Sequence, residues 1–331
     1  MDNFMTSHHE TPAFHAAASL PELHEMLDKV QMKNGWNKPT PSLYPEPKLH
    51  FVPAHWRYEV ARAALHRAGD LVDPKWAERR NLIMANPIPG NDYPSVATLV
   101  GAYQMVKGHE TARSHRHTPN AMRVVLEAAP ATYTIVDGVK VPMEPGDVLL
   151  TPNGSWHGHS NESGEEAYWI DFLDVPLVQL LGPMFFEQHP DTLERADRVD
   201  PASPMRFAFT DYHPRLLAAA QVSAGVRSLK LGPAQLRTFD RTVLHLEPGT
   251  RWMRPKSTVN RMYAVIRGQG RSEFADKRFD WSRGDVVAVP SWHEHTLVSD
   301  QESVVLEVSD EPLLRMFDWV REQAPATKVS A

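Results

Sequence analysis

The 331-residue chain is predicted to be mainly β, folded as two tandem barrels behind a helical and extended N-terminal arm. Two observations carry that prediction. From Val96 onward, short apolar runs alternate with turn residues (Gly108, Pro119-Asn120, Asp137-Gly138, Pro145-Gly146), the pattern of an antiparallel barrel or sandwich. The pattern then recurs. Gly146-Asp147 aligns with Gly284-Asp285, Pro152 with Pro290 and His157 with His295. Such an internal repeat reads as two copies of one β unit.

In chain order, residues 1–18 are polar, dotted with histidine and without periodicity, and read as a flexible tail; His8-His9-Glu10 belongs to that tail. Residues 19–94 form the arm. Ser19-Leu20-Pro21-Glu22 is a capped helix start leading to Met32. Pro39, Pro41, Pro45, Pro47 and Pro53 then impose an extended path suited to packing on another domain or subunit. Tyr58 to Arg67 reads as a helix with Val60, Ala61, Ala64 and Leu65 inward and Gly69 as its end. Asp73-Pro74 starts another, with Trp76, Ala77, Leu82 and Ile83 inward. The first barrel occupies 95–176, with strands near 96–106, 122–127, 132–136, 148–151 and 167–172. A connector covers 177–235 and the second barrel 236–311. Residues 312–331 hold a final helix, Pro312 to Arg321, burying Leu313, Leu314, Met316, Phe317 and Val320.

The chain has no cysteine, which removes disulfides, thiolate metal sites, iron–sulfur clusters and thiol nucleophiles together. Any metal must be held by histidine and carboxylate. A net charge of −6 argues against nucleic-acid or anionic-membrane surfaces. Met1 to Leu20 lacks a basic start followed by an apolar core, and no apolar run reaches the ~18 residues of a membrane span. A cytoplasmic protein is expected.

The stretch from His115 to Asn161 organises the chemistry. Side chains two apart on a strand share a face, roughly 6.5–7 Å apart, so His115 and His117 can chelate one ion while Arg116 faces away. The later block places Gly146, Pro152, Gly154, His157 and Asn161 at the spacing of the second motif of the cupin superfamily, with every marker filled. That resemblance implies a bicupin of two double-stranded β-helix barrels, with His157 on a neighbouring strand completing the metal site of His115 and His117. Imidazole suits Fe, Zn, Cu and Ni alike. The carboxylate that many cupin sites add falls here on Ala121 or Met122, so it is missing. In the second copy, the segment Arg251 to Ser257 offers no His, Asp or Glu at the ligand positions. One metal per chain is expected, with His293 and His295 structural.

A narrower resemblance runs from about Pro45 to the end. Its markers are Trp56-Arg57-Tyr58, Ala68-Gly69-Asp70-Leu71-Val72, Ala77-Glu78-Arg79-Arg80 followed by Asn86-Pro87, His115-Arg116-His117-Thr118, Arg123, Trp156-His157-Gly158-His159 and Trp169-Ile170-Asp171-Phe172-Leu173-Asp174. Together these resemble the gentisate 1,2-dioxygenase family, which includes salicylate and 1-hydroxy-2-naphthoate enzymes. The resemblance implies one non-haem Fe(II) per chain, cleavage of the C1–C2 bond of an ortho-hydroxybenzoate with O2, and a homotetramer. It implies that Arg123 and one of Arg79 or Arg80 bind the substrate carboxylate, which guanidinium matches bidentately. His159 would contact substrate oxygens or shuttle a proton, with Asp171 as its acid/base partner and Gln104 lining the pocket.

Three departures stand out. Gly158 occupies a position where the family often has Asp. Glu127-Ala128-Ala129-Pro130 replaces a common Glu-Gly-x-Gly. Leu99-Val100-Gly101-Ala102 lacks an aromatic that relatives place nearby. They leave the choice between gentisate and a differently 5-substituted salicylate open. The rival readings are a Zn- or Mn-dependent cupin isomerase or hydrolase, and a non-catalytic cupin that binds aromatic acids.

Overall fold

The computed structural model describes residues 12–36, 38–72, 80–232 and 236–323. It divides into two units, Met1–Lys48 and Leu49–Ala331. In the first, helix Leu20–Lys29 begins with the expected reciprocal cap: Glu22 N–H donates to Ser19 Oγ, and Ala18 N–H donates to the Glu22 carboxylate at 2.8 Å. None of that helix is buried.

The second unit holds two β barrels, each of two sheets. In the first barrel one sheet runs Arg206–Phe207, Val148–Thr151, Ala121–Glu127, Ala167–Leu173, Val100–Val106, Arg80–Ile83. Its partner runs Phe186–Gln188, Thr111–His117, His157–Asn161, Thr132–Val136, Val139–Pro142, Arg198–Val199. In the second barrel, Ala54–Trp56, Val286–Val289, Arg261–Arg267, Ser303–Ser309, Asp240–Leu246, Val226–Lys230 and Gln221–Ser223 form the larger sheet. Arg251–Arg254, His295–Ser299, Gln269–Glu273 and Arg278–Ser282 form the smaller. Each barrel has its own apolar filling, Val125, Val136, Leu149 and Trp169 in one and Leu244, Val265, Trp281 and Val305 in the other. A larger cluster joins Met84, Tyr103, Met122 and Phe172 of the first barrel to Met262, Leu306 and Val308 of the second. The barrels approach so closely that a Cβ on Gly101 would lie 2.9 Å from Met262 Cε.

The repeated Gly-Asp turn explains how the two halves interlock. Gly146 and Gly284 adopt φ of +91° and +87°, which glycine takes without strain. The following aspartates each cap a helix from elsewhere in the chain: Asp147 Oδ1 accepts from Phe209 N–H, and Asp285 Oδ1 from Tyr58 N–H. The helices are Phe209–Ala218 and Tyr58–Leu71. Tyr212 and Tyr103 hydroxyls donate to the carbonyls of Gly146 and Gly284, respectively.

Several expectations need correction. The helix from Tyr58 passes through Gly69 to Leu71. Gly69 is a close-approach point, since a Cβ there would meet Met105 Cε at 2.8 Å. Val60 is 60 % exposed, and the buried stripe is Tyr58, Ala61, Leu65 and Gly69. Of the helix expected from Asp73, residues 73–79 lie outside the described residues, while Arg80–Ile83 is a strand paired with Val100–Val106; sheet pairing overrides the local helical pattern. Strands 54–56 and 221–230, expected in the arm and the connector, belong to the second barrel. The last helix is only Glu311–Met316 and buries Leu313 alone, with Asp318 at φ +56° beyond its end; Met316 and Phe317 are exposed. No helix among the described residues is long and apolar enough to cross a membrane.

Candidate metal centre

His115 and His117 lie on the strand Thr111–His117, and His157 opens the antiparallel neighbour His157–Asn161, directly opposite His115. The three imidazoles bring one nitrogen each to within 4.8 Å of one another, the one such group of three among the described residues. Each ring is oriented by the backbone. Nδ1 faces the carbonyl of Arg113 at 3.3 Å in His115, of Pro119 at 2.7 Å in His117 and of Ser155 at 3.0 Å in His157. A carbonyl only accepts, so Nδ1 carries the proton and the lone pair falls on Nε2. Burial, and then the neighbouring His115 and His117, hold His157 well below the usual histidine pKa. Neutral imidazoles are what a divalent ion requires. The donor set therefore fits a metal.

Deeper in the same barrel lies a buried polar group. Arg123 Nε is 3.1 Å from Asp171 Oδ1, and both residues are 1 % exposed. The pair sits at directly opposed positions of adjacent strands. The other edge of the guanidinium reaches the facing sheet: Nη1 donates to Thr134 Oγ1 at 3.0 Å and lies 2.9 Å from His159 Nε2. Nη2 donates to Thr151 Oγ1 at 3.3 Å. Arg123 Nη1 is almost as close to Nδ1 of the same ring, at 3.0 Å, so the guanidinium sits against the imidazole edge between its two nitrogens. Trp169 packs on His159 at 4.8 Å between ring centroids. Gln104 pairs with Trp169, and Ala102 with Asp171, across the next strand. Cross-strand partners share a face, so Ala102 and Gln104 line the same interior.

Arg80 is not brought to this group. It points to the other face of its strand from Asn81, the partner of Gln104. It pairs with Glu110 and donates to the carbonyls of Val72 (2.9 Å) and Gly69 (3.5 Å). Of the two arginines from which one was expected to bind the substrate, Arg80 links the helix end to the strand. Arg79 lies outside the described residues.

The sequence reading missed the connector's part. Phe186–Gln188 pairs with the ligand strand, and the Phe186 ring stacks on His115 at 5.2 Å. Arg116, facing away from the metal ligands, bridges to Glu187 at 2.7 Å and lies over Trp156. The apolar run Met184-Phe185-Phe186 was the available signal. A cleft of about 200 Å³ opens beside His117, lined by Arg116, Thr118, Asn153, Gly154, Phe185 and Glu187.

In the second barrel, register places Arg254 opposite His295, where the first barrel has His115 opposite His157. Tyr263 faces Glu307 where the first has Arg123 facing Asp171. Arg254 Nη1 is 3.0 Å from Glu307, and the Tyr263 hydroxyl is 2.9 Å from His295 Nε2. A guanidinium thus occupies a ligand position, with its carboxylate beside it.

Comparisons with known proteins agree with this geometry. Residues 102–174 match the model of the cupin domain. A 5-aminosalicylate 1,2-dioxygenase from Comamonas sp is 33 % identical, with 93 % of this chain and 91 % of the relative covered. A gentisate 1,2-dioxygenase from Streptomyces sp is 31 % identical, with 91 % and 94 % covered. Among solved structures, a salicylate 1,2-dioxygenase from Pseudaminobacter salicylatoxidans superposes with a TM-score of 0.83 at 24 % identity, covering 92 % of this chain and 97 % of the other. At that identity the likeness speaks for the bicupin fold.

Proposed function

This chain belongs to the gentisate and salicylate 1,2-dioxygenase family, and from that premise we propose that it splits the C1–C2 bond of an ortho-hydroxybenzoate with O2 at one Fe(II) per chain. The observation that carries the reading is the convergence of His115, His117 and His157, each with Nδ1 turned to a backbone carbonyl. Bound Fe(II) would supply a route for electrons from the chelated ring to dioxygen. Three neutral ligands leave its charge undiminished, which suits a substrate chelating through carboxylate and phenolate.

The remaining roles are proposed for the chain's own groups. Arg123, held in orientation by Asp171, is proposed to offer guanidinium N–H donors to the carboxylate of the ring. His159, on the interior face two residues after His157, is the group proposed to hydrogen-bond the phenolic oxygen of the bound ring. Gln104 lines the pocket. One oxygen atom ends on each carbon of the broken bond, leaving an α-keto acid at one end and a carboxylate at the other.

Ala102 shares the face of Asp171, and the segment Leu99 to Ala102 carries no aromatic side chain. Together with the 5-aminosalicylate relative, this supports a 5-substituted salicylate as the preferred ring, with gentisate second. We also propose the homotetramer expected from the resemblance, which light scattering would test. Labelled oxygen separates the main reading from its rivals. With 18O2 the product should carry two heavy oxygens; a Zn- or Mn-dependent hydrolase or isomerase incorporates none, and a simple binding protein forms no product.

A further inference from the structure

A regular strand alternates faces, so two of its residues three apart point to opposite sides. The ligand strand breaks that rule. Ala112 pairs with His159 and His115 pairs with His157, so three steps on one strand match two on the other. His157 and His159 share the barrel interior; Ala112 and His115 must therefore do so too. The extra residue is a β-bulge at Arg113-Ser114. Without it, His115 and His117 would point out of the barrel while Ala112 stayed inside.

The bulge is built rather than accidental. Ser114 N–H donates to Thr192 O at 3.0 Å, Ser114 O accepts from His189 N–H at 2.9 Å, and Ser114 Oγ accepts from Glu194 N–H at 2.9 Å. The connector thus satisfies the groups that the bulge withdraws from the ladder. Arg113 contributes the carbonyl that orients His115. Opposite the bulge stands Gly158, where an added Cβ would lie 2.8 Å from Ser114 Oγ and 3.1 Å from Ala112 O. The equivalent strands of the second barrel, from Arg251↔Val298 to Arg254↔His295, pair without any register shift.

We propose that Ser114 and Gly158 are positioning residues acting as one device: the Ser114 bulge rotates His115 and His117 toward a divalent cation, and Gly158 leaves the room the bulge needs. The departure at Gly158 is then coupled to Ser114, and the pair sets metal affinity without touching the metal. This rests on the metal-centre reading above.

Co(II) titration followed by its visible d–d absorption tests the device, beside thermal unfolding of the metal-free protein. Wild type should bind one Co(II) per chain. Gly158→Ala should weaken binding at least tenfold, and Ser114→Ala/Gly158→Ala should regain at least half of that loss on a logarithmic scale, with unfolding midpoints close to wild type. Unchanged Co(II) affinity in Gly158→Ala would overturn the proposal. So would a double variant as weak as the single one, or a loss that merely follows the unfolding midpoint. If Gly158→Ala does not fold, the double variant decides: near-wild-type binding supports the device and weak binding contradicts it. Wild-type protein that takes up no Co(II) would instead overturn the metal-centre reading, and the device with it.

Discussion

Arg123 and Asp171 face each other across adjacent strands inside the first barrel, 3.1 Å apart and both sealed from solvent. Removing one member of such a pair strands a buried charge, which typically costs ~3–5 kcal/mol. Asp171→Ala should therefore destabilise the metal-free protein by about that amount in urea unfolding. Arg123→Met/Asp171→Ala should recover part of it, because neither charge is then left alone. With Arg123→Met completing the cycle, a double-variant loss equal to the sum of the two single losses would mean that the pair is not coupled.

Metal stoichiometry distinguishes the two barrels. Elemental analysis after anaerobic Fe(II) loading should find one iron per chain in wild type. His157→Ala should retain almost none, since two imidazoles remain of three. His295→Ala should retain the full complement, because Arg254 and not histidine stands opposite it. Iron lost in His295→Ala at unchanged stability would contradict this assignment.

The second barrel also makes a pH prediction. Burial, followed by the charges of Arg254 and Arg261, holds His295 well below the usual histidine pKa of about 6.5. In the window below 6.5 and above that lowered value the unfolded chain binds a proton that the folded chain does not, so stability falls as pH falls. One such group contributes a slope of about 1.4 kcal/mol per pH unit. Unfolding at pH 7, 6 and 5 should show His295→Gln losing that share of the slope. An unaltered slope would show that His295 titrates normally.

Arg80 separates stability from substrate recognition. Its contacts to Glu110 and two backbone carbonyls tie the end of helix Tyr58–Leu71 to the sheet. Arg80→Ala should cost about 2–4 kcal/mol of stability and leave KM for the aromatic acid within about threefold. A large rise in KM without loss of stability would return Arg80 to the pocket.

The three-histidine cluster was legible because period-two alternation pairs His115 with His117 and the resemblance to the cupin motif adds His157. Arg123, His159 and Asp171 were legible as residue types in a motif, but their mutual contact is a product of barrel closure. The bulge was not legible: Ser114 looks like any strand residue, and only the register against His157 and His159 exposes it. The choice between Arg79 and Arg80 was not legible, because the helical pattern around them gives way to a sheet edge at Arg80. The clamp of Phe186 and Glu187 on the ligand strand was missed because a three-residue strand has too little pattern to announce itself.

The central claim is tested most directly by oxygen uptake. Protein loaded anaerobically to one Fe(II) per chain is mixed with air-saturated buffer and gentisate, salicylate or 5-aminosalicylate in parallel. One O2 should be consumed per ring with loss of the aromatic absorbance, fastest for 5-aminosalicylate. Iron-loaded protein that consumes no oxygen with any of the three would contradict it.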